Sequence, residues 1–210
     1  DVYVIGDIHG CFDELKELLS MIPSNAIIYS TGDIIDRGPD SMGCLMMLME
    51  DKRFAGFTMG NHEHSFLKEL EGKRCNSRSR ERTHQEFKSL SQSKQDEIVA
   101  FLNTGKNFII LENPDSKQRV LLTHGGIGDL DPVSASLMQT TGDRINPAGD
   151  HNTVDGIDYQ LHGHMHWQYT GDTSGTVINI DSGCCYGEYL TAINAFDPTS
   201  TIKVPAYETN

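Results

Sequence analysis

The sequence predicts an α/β protein built around a mostly parallel sheet. Two observations lead there. Short apolar runs alternate with helix-period segments through the first 70 residues, the pattern of a strand–helix–strand chain. A second series of short apolar runs then follows from Phe108 to Val204.

Taken in order, Val2–Ile5 is apolar and closes on Gly6-Asp7, as a buried strand would. Phe12, Leu15, Leu18, Leu19 and Ile22 recur at helical spacing from Cys11 to Ile22, where Pro23 stops the helix. Ala26–Tyr29 reads as the second strand. A helix starts at Pro39-Asp40-Ser41 and runs through Glu50, and its Met42, Leu45, Met46 and Met49 read as adaptable core packing. Ala55–Met59 reads as the third strand, with a helix after it from His64 to Leu70.

The middle changes character. Residues 72–82 are polar and basic, with Lys73, Arg74, Arg78, Arg80 and Arg82. Such a run reads by default as a solvated loop, with a role in the cleft as the alternative. Helices are expected at Glu81–Leu90 and Lys94–Leu102. Phe108–Leu111 and Arg119–Thr123 flank an Asn113-Pro114-Asp115 turn and read as a hairpin. From Gly125 to Asp158 the chain is irregular, with one short helix expected near Val133–Met138. A stretch that long in a compact domain is more often functional than decorative. Strands are expected at Tyr159–His162, Thr176–Ile180, Leu190–Phe196 and Thr201–Val204. The expectation is one domain over residues 1–210, with a helical insert at 72–104.

Composition narrows the function. Lys and Arg number 17 against 30 Asp and Glu, a formal net charge of −13. That opposes a groove that holds nucleic acid by neutralising phosphates, so no stable nucleic-acid partner is expected. There is no apolar window long enough to span a membrane and no signal-peptide pattern in DVYVIGDIHG. The five cysteines, Cys11, Cys44, Cys75, Cys184 and Cys185, lack metal-type CxxC spacing and are odd in number. They read as reduced thiols in a cytoplasmic setting.

The chemistry lies where the strands end. Asp7 and His9 follow the first strand, Asp33 the second, and Asn61 and His62 the third. His124 follows Arg119–Thr123 and His164 follows Tyr159–His162. Strand carboxyl ends are where α/β folds place ligands. Asp, Asn and His offer oxygen and nitrogen donors suited to Mn, Fe or Zn. One Asp after one strand is a turn; five strand ends with the same chemistry point to a metal site.

The blocks GDIHG at 6–10, GDIIDRG at 32–38, GNHE at 60–63, HGG at 124–126 and HGH at 162–164 resemble, in this order, the phosphoprotein phosphatase family of calcineurin-like metallophosphoesterases. IDSGCCYGEYLTAI at 180–193 resembles the family's terminal strand region. The resemblance implies a central sandwich of two sheets flanked by helices. It implies two divalent or transition metal ions, manganese first, with iron or zinc as alternatives. One ion would take Asp7, His9 and Asp33; the other would take Asp33, Asn61, His124 and His164, with Asp33 shared. A bridging water or hydroxide would attack phosphorus directly.

By the same resemblance, Asp36 orients His62, which protonates the leaving oxygen, and Arg37 holds the phosphoryl group. A second phosphate-holding arginine is implied between the HGG and HGH blocks, where Arg144 is the only Arg or Lys. The family's Trp before that arginine is replaced by Leu137-Met138-Gln139. Roles stay open for four aromatic residues. His162 is a polar core residue or a neighbour supporting His164. His166 and Tyr186 are candidate substrate contacts. Trp167 lines the mouth of the site or covers a sheet edge. Asp172 and Asp181 read as turn or supporting residues.

The expected activity is hydrolysis of phosphoserine or phosphothreonine monoesters, with phosphotyrosine as an extension and a phosphorylated protein or peptide as partner. The alternative is dinucleoside polyphosphate hydrolysis, or another nucleotide or RNA-end phosphatase, since compact bacterial diadenosine tetraphosphatases carry nearly the same blocks. A binding protein without turnover would have lost ligands, and none of the expected ones is missing.

Overall fold

A computed structural model describes residues 1–73, 80–125 and 154–207. Two mixed sheets are flanked by helices. The first has five strands in the order β3-β2-β1-β8-β9, with β1 (Val2–Ile5), β2 (Ile27–Ser30), β3 (Phe54–Phe57), β8 (Tyr189–Asn194) and β9 (Asp197–Pro205). The strands β1, β2 and β3 run parallel, while β8 and β9 pair antiparallel. The second sheet is β4-β5-β6-β7, formed by β4 (Phe108–Glu112), β5 (Arg119–Thr123), β6 (Tyr159–His162) and β7 (Val177–Asn179). Here β4 and β5 make the expected hairpin, and β5, β6 and β7 are parallel. A single mostly parallel sheet is therefore not what forms; the two-sheet arrangement is the one the family resemblance implied.

Side-chain alternation explains the layering. On β1, Val4 enters the cluster between the sheets with Val120, Leu122, Leu161, Ile178 and Ile193. Its neighbours Tyr3 and Ile5 point the other way, into the cluster beneath the helices. A period of two places successive side chains on opposite faces, so both faces of β1 are buried and its sequence is continuously apolar. On the far face of the second sheet, Leu121 packs with Phe108, Val154 and Ile157.

The helices follow from their apolar stripes and caps. In α1 (Phe12–Met21), Leu15, Leu18 and Leu19 are buried. The next helix, α2 (Ser41–Glu50), is capped by Asp40, whose side chain accepts from Gly43 N at 2.7 Å. The third, α3 (Asn61–Leu70), begins three residues earlier than the sequence suggested. The reason is Glu63, which accepts from Gly60 N at 3.2 Å and so stabilises the first turn at Asn61. Next come α4 (Glu81–Ser89) and α5 (Gln92–Leu102). Phe101 of α5 stacks on Phe57 of β3 with centroids 5.2 Å apart, so α5 covers the edge strand of the first sheet. Among the described residues no helix is long and apolar enough to cross a membrane.

Candidate active site

The carboxyl ends of strands from both sheets meet at one place. The turns after β1, β2 and β3 bring Asp7, His9, Asp33, Asp36, Arg37, Asn61 and His62; those after β5 and β6 bring His124 and His164. The backbone there is unusual. Six described non-glycine residues have positive φ, and five of them are His9 (49°), Asp33 (49°), Asp36 (72°), Arg37 (71°) and His164 (73°). Each left-handed non-glycine residue costs on the order of 1–3 kcal/mol and persists where the surroundings over-determine it. Glu63 supplies much of that determination. Its buried carboxylate accepts from Asp33 N (2.8 Å), Ile34 N (2.8 Å) and Ile35 N (3.2 Å), clamping the turn that presents Asp33.

Asp33 is the hub. Its Oδ2 lies 3.3 Å from His124 Nε2, 3.6 Å from His9 Nε2 and 3.9 Å from His62 Nε2. Two tight donor groups share it: His9, Asp33 and His62, and Asp33, His124 and His164. His124 Nε2 is also 3.0 Å from Asn61 Oδ1 and 3.2 Å from His164 Nδ1. Two ligands each about 2.1 Å from one ion sit roughly 3.0–3.4 Å apart, which these spacings approach.

The donor chemistry fits metal ions. His9 Nδ1–H donates to Ile35 O at 3.0 Å and His124 Nδ1–H to Thr31 O at 2.8 Å. Each bond orients its ring and turns Nε2 into the cluster around Asp33, as in ligating histidines generally. Burial pushes His9 down to about 3 and His164 down to about 4, so both are neutral imidazoles near pH 7. Burial, aided by Asp181 and Asp33, pushes Asp7 well above the usual carboxylate range. Several carboxylates crowded out of water call for a cation. One protein cation lies close by: the charge of Arg37 acts on Asp7 and Asp33, and its guanidinium donates to His9 Nε2 at 2.6 Å. The glycines make room. A Cβ on Gly163 would overlap Asp7 Oδ1, and one on Gly60 would overlap Asp33 Oδ1.

Asp7 sits at the margin of the first group. Its Oδ2 accepts from His164 N at 3.0 Å and is 3.9 Å from His9 Nε2. His62 occupies the more central place, with Nδ1–H donated to Asp36 Oδ2 at 2.6 Å. Asp36 in turn accepts from Arg80 Nε (2.7 Å) and Thr83 Oγ1 (2.7 Å). Burial works against its charge, yet His62, Arg80 and Thr83 hold its pKa below the usual value.

Arg80 corrects the reading of the basic run. It is 3% exposed, bonded to Asp36 and to Glu69 Oε1 at 3.0 Å, and is not part of a solvated loop. Arg82 is exposed. Glu63, Arg80 and Thr83 were not singled out as site residues from sequence. Glu63 had a signal in the GNHE block; Arg80 had only its place in the basic run, with a role in the cleft as the alternative reading, and Thr83 had none, because only the fold brings the start of α4 under Asp36. Arg74, Arg78, Arg144 and the helix expected at 133–138 lie outside the described residues.

Among the remaining candidates, His162 is buried, with Nδ1 2.9 Å from Gly163 O. Asp181 is buried and accepts from Gly183 N at 3.1 Å, whereas Asp172 is an exposed turn residue accepting from Ser174 N. Trp167 is 58% exposed and meets the His166 ring edge-on. A separate donor group, Cys11, Glu14 and Cys184, is buried beneath the first sheet's helices. Hydrogen bonding to Cys11, together with burial, raises the Cys184 thiol, which keeps it a protonated core group.

Two layered sheets with a dinuclear donor cluster at their carboxyl ends define a metal-dependent phosphoesterase. The chain belongs to the calcineurin-like phosphoesterase family, whose profile matches residues 1–168. It is 27% identical to the asymmetrical bis(5'-nucleosyl)-tetraphosphatase PrpE of Halalkalibacterium halodurans, over 97% of this chain and 93% of the relative. The corresponding enzyme of Oceanobacillus iheyensis is 28% identical over 90% of this chain and 86% of its own. Serine/threonine-protein phosphatase 1 of Salmonella typhimurium is 48% identical, but only over 69 residues, 31% of either chain. The fold matches the crystal structure of a candidate diadenosine tetraphosphatase with TM-score 0.73 at 22% identity, covering 99% of this chain and 94% of the other.

Proposed function

We propose that this protein hydrolyses dinucleoside polyphosphates, cleaving a phosphoanhydride in a substrate of the diadenosine tetraphosphate type. One observation carries the choice over a phosphoprotein substrate. Likeness to the asymmetrical bis(5'-nucleosyl)-tetraphosphatase PrpE runs through 97% of the chain, whereas likeness to the protein phosphatase stops at 31%. The expected phosphoserine and phosphothreonine activity thus becomes the second reading, supported by that shorter but more identical block.

Asp7, His9 and Asp33 are the proposed ligands of one ion, and Asp33, Asn61, His124 and His164 those of the other. Manganese is the proposed occupant, with iron and zinc compatible with the same oxygen and nitrogen donors. When bound, such a pair supplies Lewis acidity and a water of lowered pKa. The chain's own groups do the rest. Arg37 swings its guanidinium onto two phosphoryl oxygens, a bidentate contact that also orients the group for in-line attack. Arg144 is the proposed second arginine on the phosphate. His62, steered by Asp36, presents Nε2 to the leaving oxygen and donates its proton there. Water oxygen joins phosphorus, the bridging P–O bond breaks, and a nucleotide departs.

Free thiols at Cys11, Cys44, Cys184 and Cys185 support a reducing, cytoplasmic setting for a nucleotide substrate. The test is product analysis of diadenosine tetraphosphate incubated with Mn²⁺-loaded protein. ATP plus AMP, or two ADP, is the expected outcome, lost in Asp33→Asn. Intact dinucleotide beside rapid release of phosphate from a phosphoserine peptide would favour the second reading instead.

A further inference from the structure

The donor cluster opens onto a short wall of aromatic rings. Tyr186 sits on a 3-10 turn, Cys184–Tyr186, flanked by Gly183 (φ 73°) and Gly187 (φ 90°). The left-handed glycines fold the chain sharply on both sides of the turn and push the ring outward. The Arg37 guanidinium lies 5.4 Å from the Tyr186 ring centroid. His166 stacks on the same ring, with centroids 4.0 Å apart and planes 25° apart. Trp167 meets His166 edge-on at 5.0 Å and 85°. Contacts therefore run without a break from His9 through Arg37, Tyr186 and His166 to Trp167.

These rings are not core. Tyr186 is 51% exposed and Trp167 58%, and neither belongs to a hydrophobic cluster. One exposed aromatic is ordinary. Two, joined through His166 on a ladder that begins at the proposed phosphate-holding Arg37, suit a ligand that is anionic at one end and flat at the other. A nucleotide has that shape. Stacking on an aromatic face recognises any base, because every base has a π-face.

We propose that Trp167, braced by the His166–Tyr186 stack, is a nucleobase platform for a substrate whose phosphate is held at Arg37. This rests on the nucleotide reading and adds where the nucleoside sits. It also assigns specificity: a stacking platform tolerates different bases, because every base offers a π-face.

Trp167 is the chain's one tryptophan, so its emission reports the contact directly. AMP is titrated into Mn²⁺-loaded protein, with inorganic tripolyphosphate as the ligand that has charge but no base. Saturable quenching by AMP but not by tripolyphosphate is expected. In parallel, the ratio of kcat/KM for diadenosine tetraphosphate to that for tripolyphosphate should fall roughly 5- to 100-fold in Trp167→Ala and recover in Trp167→Phe. Equal quenching by both ligands, or an unchanged ratio, overturns the platform. The two readings fail separately. Dinucleotide cleavage without a base effect removes the platform alone; AMP quenching without dinucleotide cleavage keeps the platform and removes the hydrolase reading.

Discussion

Arg80 donates from Nε to Asp36 Oδ2 at 2.7 Å, the same oxygen that accepts Nδ1–H of His62 at 2.6 Å. A residue at the start of α4 thereby sets the orientation of an imidazole on α3. With Thr83 Oγ1 on the other oxygen, the buried carboxylate is paired on both oxygens and stays ionised, as the proposed steering of His62 requires.

Replacing Arg80 by Met should leave Asp36 buried with one partner fewer. Breaking a buried ion pair from one side costs about 3–5 kcal/mol, so the melting temperature should drop well outside error. Turnover should fall too, because His62 loses its fixed direction. Thermal unfolding and kcat measured together check this; an unchanged melting temperature would contradict the pairing.

His62→Gln separates the two roles its position allows. General acid catalysis typically contributes on the order of 10²–10⁴-fold. The loss should be large for a phosphoserine peptide, whose alkoxide is a poor leaving group, and smaller for a dinucleotide, whose phosphate leaves readily. Metal content by mass spectrometry should stay at wild-type level. A fall in bound metal would make His62 a ligand instead.

Gly163→Ala tests the packing of the ligand turns. Its Cβ would overlap Asp7 Oδ1 and crowd Thr31 Oγ1, so Asp7 must move. Metal affinity measured by calorimetry should fall by at least tenfold, with the far-ultraviolet circular dichroism of the wild type retained.

The pH dependence has opposite signs with and without metal. Burial lowers His124, but the charge and hydrogen bond of Asp33 more than offset this and hold it above its usual value. A raised histidine pKa gives stability that is complete below the unfolded value, about 6.5, and is lost as pH rises through the folded value. Chelator-treated protein should therefore lose stability as pH rises above about 6.5. Metal must displace the His124 proton, so metal affinity should rise over the same interval. Chemical denaturation and metal titration at several pH values check both trends.

Much of this was legible in the chain. The strands β1, β5 and β6 fall where their apolar runs end in Asp or His, because burial on both faces leaves no ambiguity of period. The start of β9 at Asp197 was not legible. Asp197-Pro198-Thr199-Ser200 has turn composition, and only pairing with β8 extends it. The division into two sheets came from family resemblance and not from strand pattern, since nothing local tells β4 to leave the first sheet. Asp33 and His124 could be picked out because their motifs sit at strand ends. Arg80 was legible only as one arginine of a basic run whose default reading is a solvated loop, because a buried arginine there looks like a solvated one until its carboxylates are placed beside it.

The central claim is that the cluster around Asp33 serves a nucleotide anhydride. It is tested most directly by kcat/KM of the Mn²⁺-loaded protein on diadenosine tetraphosphate against a phosphoserine peptide, under one set of conditions. The dinucleotide should be preferred by tenfold or more, with both activities lost in Asp33→Asn. Preference for the phosphopeptide by a similar factor would contradict it.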